Sequence, residues 1–173
     1  AVTNKKDTNN LIKDGNKRVV EARLADAKFF WDKDKSKNLI KQIAKLKDVK
    51  FYEGLGSVYD KTQRLRKLSG MLADEFNLNK EKAEIAASIS KSDLCSDLVN
   101  EYPDLQGLLG KYFALSQGFE EDVSNAVSDH YLPLGNNSMT SKKPISYIVA
   151  ISDKIDTLVG FFLINEKPTS SKD

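Results

Sequence analysis

Ile151-Ser152-Asp153-Lys154-Ile155-Asp156-Thr157-Leu158-Val159-Gly160-Phe161-Phe162 reads as a helix with two acids and a lysine set among apolar residues. Asp153, Asp156, Val159 and Phe162 recur at about one-turn spacing, so they are expected to share a side. A carboxylate on a core-facing helix is costly unless it meets a cation or a metal. What Asp153 meets therefore separates a metal-dependent catalyst from a helical binding module. Upstream, Pro144 suits the first turn of this helix. The stretch Leu132-Pro133-Leu134-Gly135-Asn136-Asn137-Ser138, running on to Lys143, is the main internal break.

Helical periodicity also dominates the rest of the chain, and strand-like alternation is scarce. A first helix is expected from Asn16 to Phe30, with Val20, Leu24, Ala27 and Phe30 on one stripe. A second runs from Ser36 to Leu46, followed by a turn-rich link, Phe51-Tyr52-Glu53-Gly54-Leu55-Gly56. Ser57 and Asp60 form a capping box that opens a third helix with Val58, Leu65, Leu68, Leu72 and Phe76 inside. Asn79 caps a fourth, from Lys80 toward Leu98. Pro103 opens a fifth that ends near Gly118, and a sixth covers Glu120 to His130. The reading is a single all-α domain of about seven helices over residues 15–165. Residues 1–14 are expected to be a flexible tail, and residues 166–173 a tail leading into the rest of a longer chain.

Composition sets bounds on function. The chain has 173 residues, 40% hydrophobic and 30% charged, enough for one domain with a real core. A net charge of +2 does not by itself imply nucleic-acid binding. The single cysteine, Cys95, excludes an internal disulfide and is compatible with a reducing compartment. The apolar run from Ile145 to Ile164 is interrupted by Ser146, Ser152, Asp153, Lys154 and Asp156, which argues against a membrane span. The first residues lack both a starting Met and the apolar region of a signal peptide, so the chain reads as a domain excised from a longer one.

Few residues carry obvious chemistry. A sole histidine, His130, cannot build a conventional zinc site and reads as structural. Cys95 has no activating base nearby in sequence. Gly54 and Gly56 are too few for a phosphate-cradling loop. Lys61, Arg64, Arg66 and Lys67 cluster in the third helix. They form either a solvated face paired with acids such as Asp60 or a phosphate-contacting patch.

The order of elements is similar to the HD superfamily of metal-dependent phosphohydrolases. That family carries a histidine on one helix, a His-Asp pair on a later one and a final aspartate on a late helix. In Lys61-Thr62-Gln63-Arg64-Leu65, Lys61 stands at the first histidine. In Ser90-Lys91-Ser92-Asp93-Leu94, Ser92 replaces the second and Asp93 is retained. Asp153 matches the final aspartate. With both histidines gone, the resemblance implies a vestigial metal pocket in which the Lys61 ammonium neutralises Asp93 and Asp153 in place of a metal.

A second resemblance covers nearly the whole chain. Gly15-Asn16-Lys17-Arg18-Val19, Ala22-Arg23-Leu24-Ala25-Asp26-Ala27-Lys28-Phe29-Phe30 and Leu55-Gly56-Ser57-Val58-Tyr59-Asp60-Lys61 carry its first part. Lys91-Ser92-Asp93-Leu94, Glu101-Tyr102-Pro103-Asp104-Leu105-Gln106-Gly107 and His130-Tyr131-Leu132-Pro133 carry the middle. Asp153 to Phe162 and Lys167-Pro168-Thr169-Ser170-Ser171-Lys172-Asp173 close it. In this order the words resemble the central region of the beta subunit of bacterial-type glycyl-tRNA synthetases. Lys17 departs from the family's usual glutamate, and Ser170 from a usual glycine.

The resemblance implies an HD-like helical domain inside a larger, cytoplasmic, two-subunit enzyme, an α2β2 heterotetramer. In that family the alpha subunit makes glycyl-adenylate and the beta subunit chiefly binds glycine tRNA. The whole enzyme uses ATP and magnesium; this part needs no cofactor or metal, catalyses nothing alone and has no membrane partner. Arg18, Arg64 and Lys111 become candidates for tRNA contact, with Lys61 turned inward and Arg64 outward or at the rim. Arg23 is expected to pair with Asp26 or another acid, while Glu101, Asp104 and Gln106 brace the fifth helix. Tyr112 and Phe113 either stack on an unpaired base or pack in the core. Two rivals remain: a nucleotide phosphohydrolase with a metal held by Asp93 and Asp153, and a purely structural spacer.

Overall fold

Helix α1 (Leu11–Lys35) begins earlier than its periodicity predicts, because the Asp7 carboxylate accepts the N–H groups of Ile12 and Lys13 at 3.3 and 2.9 Å. Four residues of the expected tail are therefore helical in this computed structural model, which describes residues 6, 7, 9–135 and 138–166. The tail expected beyond residue 166 lies outside the described residues. Only the C-terminal part of α1 reaches the body of the protein. Ala27, Phe30 and Trp31 pack on the core, whereas Val20 and Leu24 stay more than half exposed, contrary to the single inner stripe expected. Trp31 stacks on Phe113 at 5.2 Å. Asp34 is buried at the end of the helix, where it accepts the Leu98 N–H at 2.8 Å and pairs with Lys37 at 2.6 Å.

Asn38 caps the short α2 (Leu39–Ile43), which tightens into a 3-10 turn, Ala44–Asp48. The turn-rich link then forms a small antiparallel hairpin, β1 (Lys50–Tyr52) with β2 (Gly56–Ser57). Gly56 takes a φ of +81°, and a Cβ there would stand 2.6 Å from the Asp60 carboxylate. That carboxylate completes the capping box: it accepts the Ser57 N–H at 2.8 Å while Ser57 Oγ accepts the Asp60 N–H at 3.2 Å. The box opens α3 (Val58–Glu75), whose buried face is Val58, Lys61, Thr62, Leu65, Ser69, Gly70 and Ala73. It is more polar than the expected stripe, and Phe76, counted inside, is exposed at the helix end.

The fourth expected helix is split. Asn79 caps α4 (Lys80–Ile89) as read from sequence, but a 3-10 turn at Ser92–Cys95 follows, and then α5 (Asp97–Glu101). Serines cause the break by competing for backbone groups. Ser90 Oγ donates to the Ala87 carbonyl at 2.9 Å, and Ser96 Oγ accepts the Val99 N–H at 3.1 Å to cap α5. The fifth is split too: Pro103–Leu105 is a 3-10 turn, Gly107 sits at φ +79°, and α6 spans Leu108–Ser116. A Cβ at Gly107 would lie 2.7 Å from the Tyr131 ring, so the break needs glycine twice over.

Helices α7 (Glu121–Asp129) and α8 (Pro144–Leu163) follow their expected bounds closely. The described residues thus form an all-α fold of eight helices with one small hairpin. The α3 helix packs along α4 and α8, and α7 along α4, α6 and α8. Leu65, Ile89, Phe113, Val127, Ile148 and Val149 fill the centre. Burying each large apolar side chain contributes about 1.5–3 kcal/mol. None of the helices is long and apolar enough to cross a membrane.

Candidate functional site

The inward side of α8 runs through Val149, Ser152, Asp153, Asp156 and Gly160. Val159 and Phe162, expected to share it, are rotated off and more than half exposed. At 100° per residue, position 160 realigns with 156 while 159 and 162 swing progressively away. The acids of this helix therefore face α3, and Lys61 meets them. Its side chain is 4% exposed, and its Nζ lies 3.0 Å from Asp153 Oδ1 and 3.1 Å from Asp156 Oδ2. It also donates to Thr157 Oγ1 at 2.8 Å and rests 4.5 Å from the Phe51 ring centre. An ammonium with two carboxylates, a hydroxyl and a ring face is well compensated for its lost hydration.

Two further cations close the cluster. Arg64 lies at its rim, with Nε 2.5 Å from Asp156 Oδ1, Nη2 3.2 Å from Asp156 Oδ2 and Nη1 3.3 Å from the Leu55 carbonyl. Lys91, which follows α4, reaches Asp153 Oδ2 at 3.3 Å and sits 4.0 Å over the Tyr131 ring. Burial lowers the Lys91 ammonium to about 8, against the pull of Asp153. Burial alone would raise the Asp153 carboxyl, but the charges around it, Lys91 and Lys61 among them, hold it down at about 2. As pH rises, Lys91 is the member of this pair that gives up its proton.

Asp93 does not join Lys61. Its buried carboxylate turns toward α6, where Oδ2 accepts the Gly107 N–H at 2.6 Å and the Gly110 N–H at 3.3 Å. It satisfies otherwise orphaned amides at a helix start. A Cβ at Gly110 would lie 3.1 Å from this carboxyl group, so glycine permits the approach. Burial raises the Asp93 carboxyl, partly offset by the two amides and Lys91. The resemblance-based trio thus divides: Lys61 and Asp153 meet, and Asp93 serves another element.

His130 is fully buried. Its Nδ1–H donates to the Val127 carbonyl at 2.8 Å, and its ring centre lies 3.8 Å from that of Tyr131. Burial, helped by the Lys91 charge, lowers its pKa well below the ordinary value, so the ring is neutral at pH 7. The sequence reading of His130 as structural fits this geometry but gave no sign that it stands beside Lys91. That neighbour was missed because the Ser90–Leu94 resemblance bears on Ser92 and Asp93 and assigns nothing to Lys91, which stands between them and Ser90. The only sequence signal was a lysine inside a serine-rich, otherwise core-like stretch. Among the described residues no group of three or more His, Cys, Asp or Glu is placed to hold a metal ion.

The basic residues expected to contact tRNA are spread over three elements. Arg18 is exposed on the outlying half of α1, Lys111 is half-buried on α6, and Arg64 is committed to Asp156. Neither Arg18 nor Lys111 has an ion-pair partner among the described residues. Arg23 pairs with Glu101 at 3.2 Å. Phe113 is core, whereas Tyr112 remains half-exposed at the edge of Trp31. A basic segment escaped the sequence reading: Lys41, Lys45 and Lys47, on α2 and its 3-10 extension, are exposed and without ion-pair partners among the described residues. Lys47 lies 4.9 Å over the Tyr59 ring. The acids nearest in sequence are Asp48, exposed, and Glu53, which pairs with Lys50.

Residues 1–173 match the family described as glycyl-tRNA synthetase beta subunit over their full length. The chain belongs to that family. It is 44% identical over 162 residues to the glycine–tRNA ligase beta subunit of Rhodospirillum centenum, covering 92% of this chain and 23% of that protein. It is 43% identical over 171 residues to that of Phenylobacterium zucineum, covering 97% and 26%. The Acidithiobacillus ferrooxidans protein of the same name is 44% identical over 168 residues, covering 97% and 24%. The chain thus spans about a quarter of the length of these beta-subunit relatives.

Proposed function

We propose that this chain is a tRNA-binding and scaffold domain of a glycine–tRNA ligase beta subunit and performs no reaction by itself. In this reading it works with an alpha subunit in the cytoplasm, within an α2β2 enzyme. ATP and magnesium serve that whole enzyme, and glycyl-adenylate forms on the alpha subunit. The observation that carries the reading is how the cations divide. Lys61, Lys91 and Arg64 are consumed by Asp153 and Asp156. Arg18, Lys111 and the Lys41, Lys45, Lys47 segment are left without acid partners among the described residues. Phosphate contact needs cations of the second kind. Arg64 is correspondingly the weakest of the three residues named from sequence.

The phosphohydrolase alternative would require Asp93 and Asp153 to bind one metal. One is already held by two ammoniums and the other by two backbone amides, so the donor set does not fit. The deciding experiment uses the full two-subunit enzyme. Arg18→Glu with Lys111→Glu, and separately Lys41→Glu, Lys45→Glu and Lys47→Glu together, are each expected to weaken glycine tRNA binding severalfold. Each true contact removed should also lower the salt dependence by roughly one unit. Glycine-dependent ATP–pyrophosphate exchange should be unchanged. Unaltered tRNA affinity in both variants would leave the spacer reading in possession.

A further inference from the structure

Ile155, Leu158, Val159, Phe162 and Leu163 are 40, 58, 52, 55 and 80% exposed on the last turns of α8. Beside them runs a cleft of about 340 Å³ with Leu55, Leu68 and Gly160 in its walls. Gly160 allows the hairpin to approach: a Cβ there would lie 3.2 Å from Leu55 Cδ1. Among the described residues the one charged end of the cleft is the Arg64–Asp156 pair, whose atoms already satisfy each other and the Leu55 carbonyl. Among those residues the cleft therefore offers an RNA backbone no free cation. It offers an apolar partner a ready surface, of a kind that folded proteins seldom leave open.

We propose that this α8 face is an interdomain seat, covered by a segment of the same beta-subunit polypeptide lying outside residues 1–173. Length supports this occupant. The relatives align with nearly all of this chain, yet it accounts for only 23–26% of them, so most of a subunit of that size lies elsewhere. A segment on the same polypeptide meets the face at a high effective concentration, which favours it over a second copy or a separate subunit. The occupant is expected to present apolar side chains to Leu158 and Phe162. A polar group of its own near the Leu55 carbonyl would meet Arg64.

Hydroxyl-radical footprinting of the full-length beta subunit, read by mass spectrometry, tests the assignment. Without the alpha subunit and at low concentration, Leu158, Phe162 and Leu163 should react severalfold more slowly than in the urea-unfolded chain. Leu158→Asp should restore Phe162 reactivity while the core residue Leu65 stays protected, which separates undocking from unfolding. Reaction at the unfolded rate in both the beta subunit and the assembled enzyme would overturn the proposal. So would protection that appears only with the alpha subunit, or only as beta-subunit concentration rises. Loss of Leu65 protection in the Leu158→Asp chain would place the residue in the fold itself and also count against a docking seat.

Discussion

Asp153 and Asp93 are acids taken from water in neighbouring parts of the fold, and their carboxyl groups are met in opposite ways. Asp153 on α8 meets side-chain cations, Lys61 and Lys91, and its pKa falls. Asp93, in the turn after α4, meets the backbone amides of Gly107 and Gly110, and burial leaves its pKa raised. Ammoniums bring full charge on flexible stems, and their attraction outweighs the lost hydration. Amides bring only partial charge, fixed by the backbone. The first arrangement ties α3 and α4 to α8, while the second anchors the start of α6.

The largest expected effect breaks the first arrangement. Lys61→Met should destabilise the chain by about 3 kcal/mol in urea unfolding at pH 7, the low end for a broken buried pair, because Lys91 and Arg64 still face the acids. Combining it with Asp156→Asn should recover part of the loss. A cost below about 0.5 kcal/mol, typical of an exposed pair, would erase the contrast with the surface Arg23–Glu101 contact.

Asp93→Ala should cost about 1–3 kcal/mol, since it strands two amides that the carboxyl oxygen had satisfied. Hydrogen exchange should speed up in the first turn of α6 before it does in α3 or α8. Asp93→Asn keeps an acceptor and should cost less. If both variants loosen α8 first, the two acids are not independent anchors.

The smallest effect sharpens the comparison by sign. The Asp153 carboxyl is depressed from 3.8 to about 2. It therefore contributes stability that is fully present above pH 4 and is lost as pH falls toward 2, on the order of 2 kcal/mol. Asp93 is raised, so its protonation on acidification relieves a burial cost and acts in the other direction. Unfolding free energies between pH 2 and 5 should show a shallower acid loss for Asp153→Asn and a steeper one for Asp93→Asn. Equal slopes would mean that the two acids have the same environment.

Local signals determined much of this from sequence alone: the all-α class, the Ser57–Asp60 box, the Asn79 cap and the Pro144 start are set by side chains within a few residues. The inward turn of Lys61 toward Asp153 was legible too, through the resemblance of its position. Tertiary structure decided what depended on distant partners. Ser92 and Asp93 sit in a predicted helix that the fold breaks at its serines, and the break leaves the Asp93 carboxyl on the amides of Gly107 and Gly110. Lys91 became a partner of Asp153 only when α4 and α8 came together. Val20, Leu24, Val159 and Phe162 look like core by type. Whether they meet a neighbour depends on how far each helix overlaps the body and how it is rotated. Periodicity reports that a helix has an apolar side, but the packing of other elements selects which part of that side is covered.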